Sequence, residues 1–111
     1  INCQNLSPVT AKEELDHGEA ILIDIRESEE LQNGKIPGAI HAPRGMLEFF
    51  ADPALPYHKP EFNKENRLIL YCASSGRSAL AVQTLKKMGY KNVAHIDGGI
   101  KAWQSEGLPV E

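Results

Sequence analysis

The sequence predicts an α/β domain: a central, mostly parallel sheet with helices on both faces. Two short runs carry the prediction. ILIDIR (21–26) and RLILYC (67–72) are almost wholly apolar, the pattern of strands covered on both faces. A third observation is the alternation of such runs with helix-like segments along the whole chain, which calls for helices laid against a sheet. At 111 residues the chain is expected to form one domain spanning 1–111.

Taken in order, Ser7 is placed to cap a helix that Pro8 begins and Gly18 ends. Residues 21–26 are the first buried strand, and 27–34 a short helix closing at Gly34. A brief strand is expected around Ile40, between Pro37 and Pro43, and a turn or two of helix over 44–50. Residues 51–66 form a proline-punctuated loop, long enough to suggest a functional role. The second buried strand is 67–72, and 77–90 is the strongest helix. Its Ala81, Leu85 and Met88 form an apolar stripe flanked by Ala79, Leu80 and Val82. Lys86, Lys87 and Gly89 favour its C-terminal end. A third strand over 92–97 and a helix over 98–107 complete the chain.

Composition removes several function classes. Hydrophobic residues make up 41% and charged residues 24%, ordinary for a globular chain. A net charge of −3 gives no electrostatic footprint for nucleic acid, and no apolar run is long enough for a membrane span. Two cysteines, Cys3 and Cys72, are too few for a disulfide framework. They suggest a reducing, cytoplasmic compartment, although a start at Ile1 rather than Met leaves room for a removed leader. His17, His41, His58 and His95 are scattered, so no metal site is expected.

The chemistry points to Cys72. It ends a buried strand, and the small residues Ala73, Ser74, Ser75 and Gly76 lead from it into a helix, with Arg77 closing the loop. Small residues let the backbone curl so that successive N–H groups converge, and the helix dipole adds positive potential. Thiols so placed can have their pKa lowered from about 8.5 to roughly 3.5–7.5, which makes a nucleophile. Arg77 can supply charge or brace loop carbonyls. The competing reading is an inert thiol in a tight strand–helix turn.

Four segments together resemble the single-domain rhodanese family over about residues 7–111. They are LIDIRESEEL, GKIPGAIHAP, YCASSGRSALAVQTLKKMGYKNV and IDGGIKAWQSEGLPV. Lys35 stands where histidine is common in that family. The resemblance implies a sulfurtransferase in which Cys72 accepts a sulfane sulfur and residues 73–77 cradle the persulfide. Donors would be thiosulfate or a persulfide, and acceptors cyanide, a small thiol or a protein thiol, with no metal or organic cofactor. Asp24 and Arg26 match a family pair expected to brace the strand end beside the loop. Arg44 and His41 are candidates for the pocket mouth, Trp103 and Met88 for the core, and Cys3 for a bystander.

Two alternatives remain at this point. Cysteine phosphatases and arsenate reductases share the scaffold but place five residues between Cys and Arg, where this chain has four. Inactive rhodanese-like binding modules typically lack the cysteine that this chain keeps. The loop between Cys72 and Arg77 is uncharged, which predicts weak capture of a dianion such as thiosulfate.

Overall fold

The computed structural model describes residues 4–18 and 20–111. Cys3, expected to be a bystander, lies outside them. Five strands make one sheet: β1 (Gln4–Leu6), β2 (Ile21–Asp24), β3 (Ile40–His41), β4 (Leu68–Tyr71) and β5 (Val93–Ile96), in the order β1-β5-β4-β2-β3. Every pairing is parallel. The helices are α1 (Pro8–Asp16), α2 (Ser28–Leu31), α3 (Leu47–Ala51), α4 (Gly76–Lys87) and α5 (Gly99–Ser105), with a 3-10 turn at Arg44–Met46.

β4 lies in the middle, and all four of its residues are buried. Alternation along the strand divides its side chains between two cores. Leu68, Leu70 and Cys72 join Ile23, Ile25, Leu47, Ala81, Val82 and Leu85 on the α3–α4 face. Ile69 and Tyr71 join Leu22, Ala94, Ile96, Ile100 and Trp103 on the α1–α5 face. Cys72 therefore points toward α4.

Local signals act as the sequence suggests. Ser7 Oγ accepts the Thr10 amide at 3.1 Å, and Pro8 fills the first helical position. The buried face of α4 is Ser78, Ala81, Val82 and Leu85, the helical spacing i, i+3, i+4, i+7. Leu80 does not flank this stripe: it is 62% exposed, because it lies more than 90° around the helix from Ala81, Val82 and Leu85. The 51–66 segment is a chain of turns tied inward by Phe62, 1% exposed, and by the Tyr90 hydroxyl, 2.7 Å from the Ala51 carbonyl and 2.8 Å from that of Phe62.

β1 has no counterpart in the sequence reading. Its residues, QNL, carry no apolar run, and it exists as an edge strand because Asn5 and Leu6 find partners at His95 and Ile96 of β5. Among the described residues, no helix is long and apolar enough to cross a membrane.

The two leucines of α4 should separate cleanly in denaturant melts. Leu85→Ala opens a cavity in a fully buried site and is expected to cost about 2–5 kcal/mol. Leu80→Ala should stay within about 0.5 kcal/mol.

Candidate functional site

Cys72 follows the last residue of β4 and is 1% exposed. Its thiol is free and lies 3.6 Å from Ser78 Oγ on the first turn of α4. Between them the chain turns through Ala73, Ser74 and Ser75, and α4 begins at Gly76.

The orientation of this loop is set by α5. The Cys72 carbonyl accepts the Ile100 amide at 3.0 Å, and the Ala73 carbonyl accepts the Lys101 amide at 3.2 Å. In a trans peptide the N–H points opposite to the C=O. With those two carbonyls drawn to α5, the amides of Ala73 and Ser74 point away from that helix. The Ser75 side chain does not cap its own helix. It accepts the Gly98 amide at 2.8 Å instead, which leaves the first-turn amides of α4 open.

This contact explains the second of the paired glycines at 98–99; a Cβ on the first would meet Ala102 instead. Both have positive φ, +79° and +61°. A Cβ on Gly99 would collide with the Ser74 and Cys72 carbonyl oxygens and would sit 2.7 Å from the Ala73 carbonyl carbon. Only a residue without a side chain lets α5 approach the loop this closely.

Arg77 does not hold loop carbonyls through its guanidinium. Its two terminal nitrogens meet the Glu30 carboxylate at 2.7 and 2.8 Å, tying α4 to α2. That bond holds the Glu30 carboxyl down at about 2 against an opposing effect of burial. It also raises Arg77, and proximity to Cys72 adds to the effect.

Asp24 and Arg26 form a fully bonded unit at the end of β2. Asp24 is buried and accepts from Arg26 Nε at 3.0 Å, Arg26 Nη2 at 2.8 Å and the Tyr71 hydroxyl at 2.6 Å. Arg26 also donates to the carbonyls of Glu30 and Gly34. Burial disfavours the Arg26 charge, but Asp24 outweighs it and the guanidinium value is raised. Burial, then the bond to Asp24, raises the Tyr71 phenol.

Arg44 is held elsewhere, by Glu48 at 2.8 Å and by Thr84 Oγ1 at 3.2 Å. His41 Nε2 bonds the Arg26 carbonyl at 2.7 Å. A cavity of about 190 Å³ opens between α2 and α5, lined by Arg26, Glu30, Asn33, Ala73, Lys101 and Gln104 among others. Of the residues singled out from sequence, Ala73 and Arg26 border it, whereas Arg44 does not.

Two residues near the thiol were not among the site residues expected from sequence, although His95 is one of the scattered histidines. Ser78 is fully buried, and its Oγ lies 2.8 Å from His95 Nδ1 and 3.2 Å from the Ser75 carbonyl. His95 is 1% exposed, and its Nε2 has no partner. Burial pushes the imidazole below its ordinary value against a smaller opposing pull from Asp97. The signals were a serine within an apolar helical stripe and a histidine within a buried strand. Lys101 and Glu30 were also missed, since only the fold brings them beside the loop.

The rhodanese-like domain model matches residues 7–106. The chain belongs to the rhodanese-like family. A sulfurtransferase of Allochromatium vinosum is 34% identical over 95 residues, covering 86% of this chain and 81% of the relative. The human single-domain sulfurtransferase superposes with a TM-score of 0.80 at 27% identity, covering 95% of this chain and 98% of that one. A Rhodopseudomonas palustris protein of unknown function, described as a possible tyrosine phosphatase, superposes at 0.93 with 43% identity, covering 98% of this chain and 85% of that one. Some rhodanese-like relatives are longer: the match spans 46% of a Bacillus subtilis protein and 54% of a Synechocystis one.

Gly99→Ala is expected to cost about 3 kcal/mol or more, since positive φ and overpacking act together. Gly45→Ala, where an added Cβ meets nothing within 4 Å, should cost under about 1 kcal/mol by the same melts.

The Arg77–Glu30 bond sets a pH signature. A carboxylate depressed from 4.5 to about 2 adds stability that is complete above the upper value and is lost as pH falls through the lower. Both side chains are about a third exposed, so the contribution should be at most about 1 kcal/mol. The stability difference between the protein and Glu30→Gln should be flat above pH 4.5 and vanish toward pH 2.

Proposed function

We propose that this protein is a sulfurtransferase carrying a sulfane sulfur as a persulfide on Cys72. The observation that supports this best is the loop geometry. The carbonyls of Cys72 and Ala73 are turned to α5, which leaves the amides that follow them pointing away from that helix and available to a persulfide on Cys72.

In the first half-reaction the Cys72 thiolate attacks the terminal sulfur of thiosulfate or of a persulfide. A new S–S bond forms, the donor's S–S bond breaks, and sulfite or a thiolate leaves with the electron pair. In the second, an acceptor thiolate or cyanide attacks the outer sulfur of the Cys72 persulfide, and the pair returns to Cys72. The sulfur keeps its oxidation level across the cycle, so no outside oxidant enters. Cysteine itself carries the group, and the chemistry needs no metal or organic cofactor. Amides 73–77 would bear the charge on the outer sulfur, and the α2–α5 cavity would seat the body of a donor or acceptor. With Arg77 committed to Glu30, the loop offers no uncommitted cation, which favours thiol or protein persulfides over thiosulfate.

The description of the Rhodopseudomonas neighbour raises phosphate ester cleavage as a second reading. Two features weigh against it. Four residues rather than five separate Cys72 from Arg77. A thiol 1% exposed suits a substrate that presents a single terminal atom better than one that must insert a tetrahedron. A binding module without catalysis is disfavoured by the retained cysteine.

Intact-protein mass after incubation with thiosulfate or a thiol persulfide is the test. The expected result is a gain of one sulfur atom, reversed by a thiol reductant, lost in Cys72→Ser and kept in Cys3→Ser. No gain in the unmodified protein, together with turnover of an aryl phosphate, would overturn the sulfurtransferase reading. A gain that persists in Cys72→Ser would move the carrier to another residue.

A further inference from the structure

The buried pair Ser78–His95 has no part in the cycle above, yet it touches the sulfur. Ser78 Oγ donates to the Ser75 carbonyl at 3.2 Å, accepts from the Cys72 thiol at 3.6 Å and lies 2.8 Å from His95 Nδ1. Once the sulfur is a thiolate it can only accept, and the one hydroxyl proton then has three neighbours able to take it. A buried imidazole with an unpartnered Nε2 is costly to keep, by about as much as any unsatisfied buried polar group. Its only polar side-chain bond among the described residues is the one to Ser78.

The tautomer decides what that bond does. If Nδ1 accepts the Ser78 proton, the hydroxyl has nothing left to give the sulfur, and an Nε2–H donor is stranded in the core. If Nδ1 carries the proton and donates to Ser78 Oγ, the hydroxyl proton is free for the carbonyl or for the sulfur. The second arrangement serves a thiolate, because Ser78 is the one side-chain hydroxyl bonded to the sulfur among the described residues.

We propose that His95 is a positioning residue for sulfur release: its Nδ1–H holds Ser78 so that the hydroxyl turns from the Ser75 carbonyl to the Cys72 sulfur as that atom becomes a thiolate. The step is the second half-reaction. An acceptor thiolate bonds to the outer sulfur, the bond from that sulfur to Cys72 breaks, and the electron pair stays on Cys72. Ser78 then donates a hydrogen bond to the new charge, and its proton remains on oxygen. His95 touches neither donor nor acceptor and acts only through Ser78. The inference rests on Cys72 being the sulfur carrier. Burial disfavours the charged form of the imidazole.

The experiment loads the protein with persulfide, mixes it with excess cysteine as acceptor, and follows single-turnover discharge. Ser78→Ala and His95→Leu should each slow discharge about ten-fold or more, the scale of one lost hydrogen bond to a charge, with half-saturation by cysteine unchanged. His95→Asn places an amide N–H near the position of Nδ1 and should recover most of the rate. The double variant Ser78→Ala/His95→Leu should be no slower than Ser78→Ala alone, because the two act in series. Additive losses, equal losses for His95→Leu and His95→Asn, or no loss would each overturn the proposal while leaving the carrier in place. If His95→Leu fails to fold, His95→Gln, whose amide reaches the Nε2 position and leaves that of Nδ1 without a donor, takes its place: it should slow discharge alone and add nothing to Ser78→Ala. Failure of the unmodified protein to gain sulfur would instead overturn the carrier reading, and is seen before any variant is made.

Discussion

The bonds from the Ile100 and Lys101 amides to the Cys72 and Ala73 carbonyls set the direction of the whole site. A loop of small residues can curl either way, and nothing between Cys72 and Arg77 chooses. The choice is made by α5, nearly thirty residues later in sequence, whose first amides have no partner within their own helix. They find one in the loop, and the amides that follow those carbonyls are thereby turned away from α5. The same contact requires Gly99, since any Cβ there would meet loop oxygens. It also requires α5 to stay seated, which Trp103 provides, 1% exposed and with Nε1 donating to the Pro109 carbonyl at 2.8 Å. Core packing on one face of the sheet thus controls polarity on the other.

Two charged units hold the remaining sides. Asp24, Arg26 and Tyr71 join β2 to β4 at the carboxyl ends of the strands, where loops must be placed accurately. With every hydrogen bond made, burial of this pair is tolerated; with one partner removed, it would leave an uncompensated charge. Glu30 and Arg77 then fasten α2 over the start of α4. Arg26 links the two units by donating to the carbonyls of Glu30 and Gly34. An arginine in the loop therefore acts here as a clamp on its frame, while its guanidinium also lies close enough to Cys72 for the two to interact.

What could be read beforehand follows from range. β2 and β4 are visible as apolar runs, α1 from its Ser7-Pro8 start, and α4 from its spacing, because each is set by residues within a few positions of one another. Cys72 is visible for the same reason. β1 is not, since Gln4, Asn5 and Leu6 become a strand only by pairing with β5. Leu80 shows the limit of local pattern: composition places it near the stripe, and helical geometry turns it to solvent. The partner of Arg77 lies 47 residues away in sequence, and that of Ser78 lies 17 away. Neither pairing has a local signature, although a lone polar residue in an apolar pattern marks the place to look.

The burial of Cys72 brings these points together as a question of magnitude. Taking an ion the size of a thiolate out of water costs several kcal/mol even after relaxation. Hydrogen bonds to a charged group return about 1.5–3 kcal/mol each. For the charged sulfur of the proposed cycle, two or three donors are therefore the minimum at 1% exposure. In the proposed cycle the amides of Ala73 and Ser74 would be two, and the Ser78 hydroxyl, turned from the Ser75 carbonyl, would be a third. Without the α5 contact the first two would be free to rotate away; without the Nδ1 bond the third would stay on the Ser75 carbonyl, which it already bonds. The site reaches its minimum only while both distant supports, Gly99 on one side and His95 on the other, remain in place.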